Sequence, residues 1–410
     1  MNLLPFRMAQ SGPPSPKSGN APLRVIYFSN VFQGLGGVQS ALQDHHAHDA
    51  EFGVHSDFVV LWEKEESAPI GVQFLAWSRQ TRLSSARRSL KRAVATLQKP
   101  NLHVFHTEWG WPFYADLLGD TRRILYVHND FPGIEKFLPT RVWAVDGLIV
   151  VSAPLAERVL KWRPDFPRER ILQAACPIDP PSGALPPRKP RITTAPLRIG
   201  FCGRMSIEQK RVDRFPLLIK ALDSLGVSYT VDFLGDGDYR PELEKQLPDR
   251  NRFQFLGRRP RSEVWEAFAR WDVMLFTSDY EGTPLAMLEG MAAGVLPIHP
   301  ALNSGGDAMA AKIHPKLVYP AGNIPALAES VRWAAGLHPG EVAAMQAEAL
   351  RLIEPQRPEN ARGKVIEFYH RIAGLPPLAR QPMNRPPPFT GWLTFGQYEP
   401  LLNWTKRFRK

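Results

Sequence analysis

The chain has 410 residues, 44% hydrophobic and 22% charged. These ordinary globular proportions exclude a disordered chain, a fibre and a coiled coil, and suit two or three domains. Fifty-one Lys and Arg against 40 Asp and Glu give a net charge of +11, which favours anionic partners such as nucleotides, phospholipid headgroups or nucleic acid without choosing among them.

Residues 1–22 read as a disordered leader. Their apolar stretch is only Leu3, Leu4, Pro5 and Phe6, too short for a signal peptide, and a Pro/Ser/Gly-rich segment follows. No apolar run in the chain approaches a membrane span. Leu23–Ser29 is a strand pattern that leads through Gly34-Leu35-Gly36-Gly37 into a helix over Val38–His48. His45, His46 and His48 crowd that helix and read as a solvated face, since no Cys or acidic ligand set accompanies them. Further strands are expected at Ser56–Leu61, Leu102–Phe105, Arg123–Val127 and Gly147–Val151.

From Ser67 to Thr107 there is no Asp or Glu, but Arg79, Arg82, Arg87, Arg88, Lys91, Arg92 and Lys99 are present. Leu83, Leu90, Val94 and Leu97 share one helical face within it. Two readings stand open: a basic amphipathic helix lying on an anionic membrane over 79–99, or a surface helix whose apolar stripe faces the core. His106-Thr107-Glu108-Trp109-Gly110-Trp111 follows a strand end; Glu108, Trp109 and Trp111 could line an acceptor site for a sugar, or the two tryptophans could be core.

Residues 177–196 are proline-rich and have little to bury, so they mark a linker. It divides an N-terminal domain over 23–176 from a C-terminal domain over 197–355. Strands are expected there at Leu197–Cys202, Tyr229–Leu234, Arg252–Phe255, Val273–Phe276 and Val295–His299, with helices between. A helix over 356–374 is expected to return towards the N-domain, followed by a Pro-rich, then basic and aromatic tail over 375–410. Phe389, Trp392, Phe395, Tyr398 and Trp404 suit either a membrane interface or docking on the N-domain, and docking is the favoured reading. Strands alternating with helices in both halves predict two Rossmann-like doubly wound parallel sheets facing each other across a cleft. Cys176 and Cys202 are too few to staple such a chain and read as reduced thiols of a cytoplasmic protein.

In such sheets ligands bind beyond the carboxyl ends of the strands, and the informative residues lie there. Gly36 and Gly37 let backbone amides approach a phosphate at a helix start. Gly203 and Arg204 leave the strand Leu197–Cys202, and with Lys210 they suit a diphosphate. Residues 281–294 run Glu-Gly-Thr-Pro-Leu-Ala-Met-Leu-Glu-Gly-Met-Ala-Ala-Gly. Thr283 is the expected N-cap, Pro284 the first helical residue and Gly294 the stop. Gly282, Thr283 and Leu285 stand at the helix start, where free amides face a phosphate. Glu281 and Glu289 flank that start and make sense as acceptors from hydroxyls of one ligand, such as a sugar and a ribose. Asp236-Gly237-Asp238 has metal-binding spacing, but Asp and Gly are turn formers and the turn reading is stronger. No metal is expected.

The order of these clusters resembles glycosyltransferase family 4, retaining nucleotide-sugar enzymes of the GT-B fold. The resemblance runs over residues 23–373 and is strongest over 197–330. It rests on Gly36-Gly37-Val38, Tyr126-Val127-His128-Asn129-Asp130, Ile149-Val150-Val151-Ser152, Gly200-Phe201-Cys202-Gly203-Arg204 with Lys210, Phe233-Leu234-Gly235-Asp236-Gly237, Phe255-Leu256-Gly257, and the spacing Glu281-x7-Glu289. Two departures are Arg211, where the family often has Gly, and Ser304-Gly305-Gly306-Asp307, which lacks the usual acidic ending of its loop.

The resemblance implies roles. Arg204 and Lys210 would neutralise the leaving diphosphate, with Gly36 and Gly37 reaching it from the other domain. Glu289 would hold the ribose diol, Glu281 would face the sugar hydroxyls, and His128 would orient the transferred sugar. Backbone near Leu256, Gly257 and Arg258 would read the base. The implied reaction moves a sugar from a nucleotide-diphosphate sugar, UDP or GDP most readily, to a carbohydrate or lipid-linked acceptor in bacterial surface polysaccharide or glycolipid synthesis. The leaving phosphate takes the acceptor proton, so no general base is nominated and no cofactor is required. The implied location is cytoplasmic, or peripheral on the inner face of the membrane. The alternatives are a degenerate GT-B-fold scaffold and a nucleotide-sugar epimerase. No nucleic-acid module is recognisable, so nucleic acid is not an expected partner.

Overall fold

Two sheets organise the chain, and every strand pairing within them is parallel. The structure, a computed structural model, describes residues 22–34, 36–64, 68–106, 114–136, 138–178, 195–380 and 390–398. The first sheet contains β1 (Leu23–Ser29), β2 (Val54–Val60), β3 (Val72–Phe74), β4 (Leu102–Phe105), β5 (Arg122–Val127), β6 (Gly147–Val150) and β7 (Ile171–Gln173). Its order is β3-β2-β1-β4-β5-β6-β7. The second contains β8 (Leu197–Cys202), β9 (Tyr229–Leu234), β10 (Phe253–Gly257), β11 (Val273–Leu275), β12 (Leu296–Ala301) and β13 (Val318–Pro320), in the order β10-β9-β8-β11-β12-β13. Each order reverses direction once, between β1 and β4 and between β8 and β11. A crevice opens at such a switch point beyond the carboxyl ends of the strands.

The strands are apolar on both faces because helices cover both. Phe28, Leu125, Leu148 and Val150 belong to one N-domain core, and Tyr27, Val60, Ile124 and Ile149 to the other. A single core surrounds the second sheet, including Trp265 and Trp271. Gly200 has no alternative there: a Cβ would lie 2.0 Å from the Trp271 ring. Most expected strands stand within one or two residues of their predicted bounds. β3, β7 and β13 were not foreseen, because three residues are too few to carry a periodicity.

Three expectations about the N-terminal half are decided by packing. The first helix, α1 (Gly37–His48), starts one residue early. Its His45 is not on a solvated face: the ring is buried, with Nδ1 2.9 Å from Asp49 Oδ1 and 3.1 Å from the Tyr27 hydroxyl. The reason is the helix Pro358–Gly374, which crosses onto the first sheet and sets Tyr369 against His45 and Arg362 against Asp44. The helix α2 (Leu83–Thr96) turns Leu83, Ala86, Leu90 and Ala93 into the core. Its apolar stripe faces the core, the second of the two readings of 79–99. The opposite side is basic, with Arg88, Lys91 and Arg92 exposed, while Arg87 pairs with Asp116 at 2.6 Å.

The segment 390–398 docks on the N-domain. Leu393 O accepts from Leu83 N, Thr81 O accepts from Phe395 N, and the Phe395 ring lies 5.0 Å from that of Trp62. Phe395 is buried, whereas Trp392 is 67% exposed. Before it, Leu378 N and Arg380 both donate to the buried Asp146. Phe389 and Trp404 lie outside the described residues. Among the described residues no helix is long and apolar enough to cross a membrane.

Candidate active site

The loop after β8 and the loop after β11 are stitched together where their sheet changes direction. Gly203, at φ 157, passes so close to the loop after β9 that a Cβ on Gly235 would lie 2.0 Å from Gly203 O. A Cβ on Gly237 would lie 2.3 Å from Met205 O. Thr277 Oγ1 donates to Lys210 O at 2.7 Å, and Asp279 N donates to Gln209 O at 2.9 Å. These bonds hold Lys210 so that its Nζ lies 2.6 Å from Glu281 Oε1, which also accepts from Ser278 Oγ at 2.6 Å. The Glu281 side chain is 5% exposed and that of Lys210 18%. Arg204 stands at the same strand end, exposed, and makes no ion pair among the described residues. Lys210 thus orients a carboxylate and, with Arg204, adds positive charge at this strand end.

Arg211, where a Gly resembling the family's was expected, occupies the left-handed region at φ 50. That conformation favours glycine and costs a non-glycine residue about 1 kcal/mol or more. Two ion pairs offset it: Arg211 meets Asp213 at 2.9 Å and Asp279 at 2.8 Å. Asp279 also accepts from Arg214, so the Arg substitution tightens the loop that carries Ser278 and Glu281.

Thr283 does not cap the following helix, contrary to the expectation. Its hydroxyl donates to Val151 O of the N-domain at 2.7 Å, Pro284 is the N-cap, and the helix runs over Leu285–Ala292. Gly294, at φ 80, ends it. A Cβ on Gly282 would lie 2.7 Å from Val151 Cγ2 and 2.9 Å from His128 O, so the Glu281–Thr283 loop is seated directly on the first half of the chain. A Cβ on Gly305 would likewise strike Thr283 Oγ1 at 1.9 Å. Ser304 and Asp307 form a reciprocal capping box at the start of the helix Gly305–Ile313, so the departure at 304–307 is a helix cap.

Glu289, one turn inside the helix, is 8% exposed and lies 2.8 Å from Arg261 Nη2. Burial, together with the charge of Glu289, raises the Cys202 thiol to about 12 at the end of β8, while Lys210 opposes. Cys176, whose Sγ is 3.6 Å from Gly37 O, is raised by burial and by Asp44 and Glu289, and lowered by Arg261. At the start of α1, Gly36 is the N-cap and Gly37 is exposed. At the end of β10, Gly257 takes φ 70, Gly257 O accepts from Gly235 N, and Leu256 O accepts from Arg259 Nε. Arg258 is exposed. Asp236 Oδ1 accepts from Gly237 N, so this carboxylate closes its own turn.

His128 follows β5. The residue is half-buried, and desolvation pushes its imidazole down to about 3, keeping it neutral. Nε2 faces His106 Nδ1 at 2.8 Å, and the ring stacks on Tyr126 at 4.1 Å. Glu108, Trp109 and Trp111 lie outside the described residues.

The structure thus brings together Lys210, Ser278, Glu281, Gly282 and Thr283 with the backbone of His128 and Val151. Ser278 and Arg261 were missed from sequence, and His106 was noted only as the start of a strand-end run. Ser278 precedes Glu281 by three residues just after a strand, a readable signal. Arg261 and His106 reach their partners across 28 and 22 residues of sequence, which no local pattern reveals.

Residues 196–335 match the family described as Glycosyl transferases group 1. This segment is a group 1 glycosyl transferase domain. It contains β8 to β13 and the site residues from Gly203 to Asp307. No curated protein matches the sequence. Solved structures align over most of the chain. The pneumococcal O-GlcNAc transferase GtfA, in complex with UDP and GlcNAc, is 10% identical, covering 87% of this chain and 100% of its own at a TM-score of 0.66. Anabaena Alr3699/HepE, in complex with UDP and glucose, is 16% identical, covering 86% and 100% at 0.64. S. aureus TarM, as a mutant bound to fondaparinux, alpha-GlcNAc-glycerol and UDP, is 12% identical, covering 85% and 99% at 0.61. At such identities the likeness is one of fold. The chain has a GT-B fold, and its second half carries the glycosyl transferase match.

Proposed function

We propose that the protein is a retaining glycosyltransferase that moves a sugar from a nucleoside-diphosphate sugar to a carbohydrate or lipid-linked acceptor. One observation carries the reading: Glu281 is held by Lys210 and Ser278, and the adjoining Gly282 packs against the His128 carbonyl, with the exposed Arg204 on the same loop as Lys210. Arg204 and Lys210 neutralise the leaving diphosphate, and preorganised charge of this kind is commonly the largest single catalytic contribution. Gly36, Gly37, Gly203 and the helix start at Gly282, Thr283 and Leu285 present backbone amides to the same phosphates. Glu281 accepts from the sugar hydroxyls and Glu289 from the ribose diol, with Arg261 sharing its carboxylate. His128 orients the sugar, and Leu256, Gly257 and Arg258 border the base. The acceptor oxygen attacks the face the diphosphate leaves, and its proton passes to the departing phosphate oxygen. The UDP complexes of GtfA and Alr3699/HepE favour UDP as the nucleotide.

The acceptor belongs to bacterial surface polysaccharide or glycolipid synthesis, and the protein works in the cytoplasm, peripherally on the membrane. The basic face of α2 and the exposed Trp392 support this last point: cations attract anionic headgroups, and Trp suits the interface. The domain limits are 23–176 and 197–355, joined by 177–196.

The test is anomeric configuration. With a nucleotide sugar and acceptor sugars, proton NMR of the product follows the anomeric coupling. Retention supports the reading; inversion, or isomerised nucleotide sugar formed without acceptor, overturns it. The second outcome would identify an epimerase.

A further inference from the structure

Two neutral imidazoles meet below the first switch point. His106 leaves the end of β4, with its N–H bonded to Phe28 O at 2.8 Å, and is 4% exposed. Its Nδ1 lies 2.8 Å from His128 Nε2, and its Nε2 is buried with no partner among the described residues. The other polar groups around it are already engaged. The Tyr27 hydroxyl donates to Asp49 Oδ2 at 2.7 Å, and His45 Nδ1 lies 2.9 Å from Asp49 Oδ1. The Tyr126 hydroxyl donates to Ala174 O at 3.4 Å.

Between two neutral rings only one proton lies on the shared axis. If His128 donated it, His106 would carry its own proton on Nε2, a buried N–H with no acceptor. If His106 donates it, the leftover Nε2 is an unpaired lone pair. Orphaned buried N–H groups are the rarer of the two defects. His106 therefore donates from Nδ1, and His128, accepting at Nε2, carries its proton on Nδ1.

We propose that His106 is a positioning residue that fixes His128 as the Nδ1–H tautomer, so that His128 presents a hydrogen-bond donor, not a base, to an oxygen of the nucleotide sugar. The inference rests on the reading of His128 as the group that orients the sugar. Tyr126 stacking holds the plane of the His128 ring, and His106 sets which nitrogen is protonated. A donor at this point suits a sugar hydroxyl or phosphate oxygen and fits a reaction in which the leaving phosphate takes the proton.

The decisive experiment needs no substrate. Long-range proton–nitrogen correlation on full-length protein labelled with nitrogen-15 histidine reports the protonated nitrogen of each ring. In the wild type His128 is expected with Nδ1 protonated and Nε2 bare. His106→Phe keeps a ring and removes the donor, so His128 is expected to lose its single tautomer. His106→Asn returns an amide N–H near the position of Nδ1 and is expected to restore it. A wild-type His128 protonated on Nε2 overturns the proposal even if neither variant folds, and so does an unchanged tautomer in His106→Phe. Kinetics tests the underlying reading separately. With a working substrate pair, His106→Phe is expected to lower kcat about tenfold with KM nearly unchanged, and His106→Asn to recover most of it. A lost tautomer with unaltered kcat would retain the positioning and refute the role of His128 in transfer.

Discussion

Replacing Lys210 by Met removes the ammonium 2.6 Å from Glu281 and leaves a carboxylate that is 5% exposed with Ser278 as its neutral partner. Breaking a fully buried pair costs about 3–5 kcal/mol, whereas a single charge-assisted hydrogen bond contributes about 1.5–3 kcal/mol. The Lys210 side chain is 18% exposed, so water screens part of the loss, and about 2–3 kcal/mol is expected. For a chain of this size that is a fall in Tm of about 2–4 °C. Glu281→Gln alone strands the ammonium less severely, because Lys210 can turn towards solvent. In the double variant Lys210→Met/Glu281→Gln no charge remains buried, and the loss should be smaller than the sum of the singles. A double-mutant cycle by urea denaturation is expected to give a coupling of about 1.5 kcal/mol or more. A coupling below about 0.5 kcal/mol would mean that Lys210 does not hold Glu281, and the construction of the site would fail with it.

Other consequences follow from the same geometry. Leu90→Ala in α2 is expected to cost about 2–5 kcal/mol by urea denaturation, because Leu90 is wholly buried, while the exposed Lys91→Ala changes stability by less than about 0.5 kcal/mol; a neutral Leu90→Ala would return the stripe to the membrane. Arg211→Gly relieves the left-handed backbone while losing two partly exposed ion pairs, so its net change should stay within about 1 kcal/mol; Arg211→Ile, β-branched at that φ, should lose more, and equal effects would discount the backbone argument. His103 is buried with neither ring nitrogen partnered among the described residues, and desolvation, then Arg123 and Arg380, push it down to about 3 from 6.5. The unfolded chain therefore binds more protons than the folded one between those values. Stability is full above 6.5 and falls as the pH is lowered, by about 2 kcal/mol at pH 5 from this residue. His103→Leu should flatten the acid side of a stability–pH curve, and an unchanged slope would refute the assignment.

Strand-end placement was legible because it depends on backbone: a glycine at a switch point, a cation just after it, a carboxylate before a helix. Gly203, Arg204, Lys210, Glu281 and Glu289 could be singled out from spacing for that reason. What could not be read was the use of a side chain whose partner is remote in sequence. Thr283 has the chemistry of a cap, yet its hydroxyl reaches Val151 O, 132 residues earlier. His45 looks solvated until the helix Pro358–Gly374 covers α1. The stripe Leu83–Leu90 is amphipathic in either a core or a membrane setting, and only the packed neighbours separate the two. Arg211 shows the reverse case: a departure from the resembled family that raised doubt from sequence becomes intelligible once its φ and its two carboxylates are seen.

The central claim is that the cleft binds a nucleoside diphosphate through Arg204 and Glu289. A thermal-shift titration with UDP, GDP and ADP tests it on the wild type, Arg204→Ala and Glu289→Ala. At 100 times its dissociation constant a ligand stabilises the native state by about 2.7 kcal/mol. One nucleotide, UDP by the reading above, should raise the wild-type Tm by several degrees. The shift should be lost in both variants, with the unliganded Tm of Arg204→Ala unchanged. No shift with any of the three, or equal shifts in all proteins, would contradict the account.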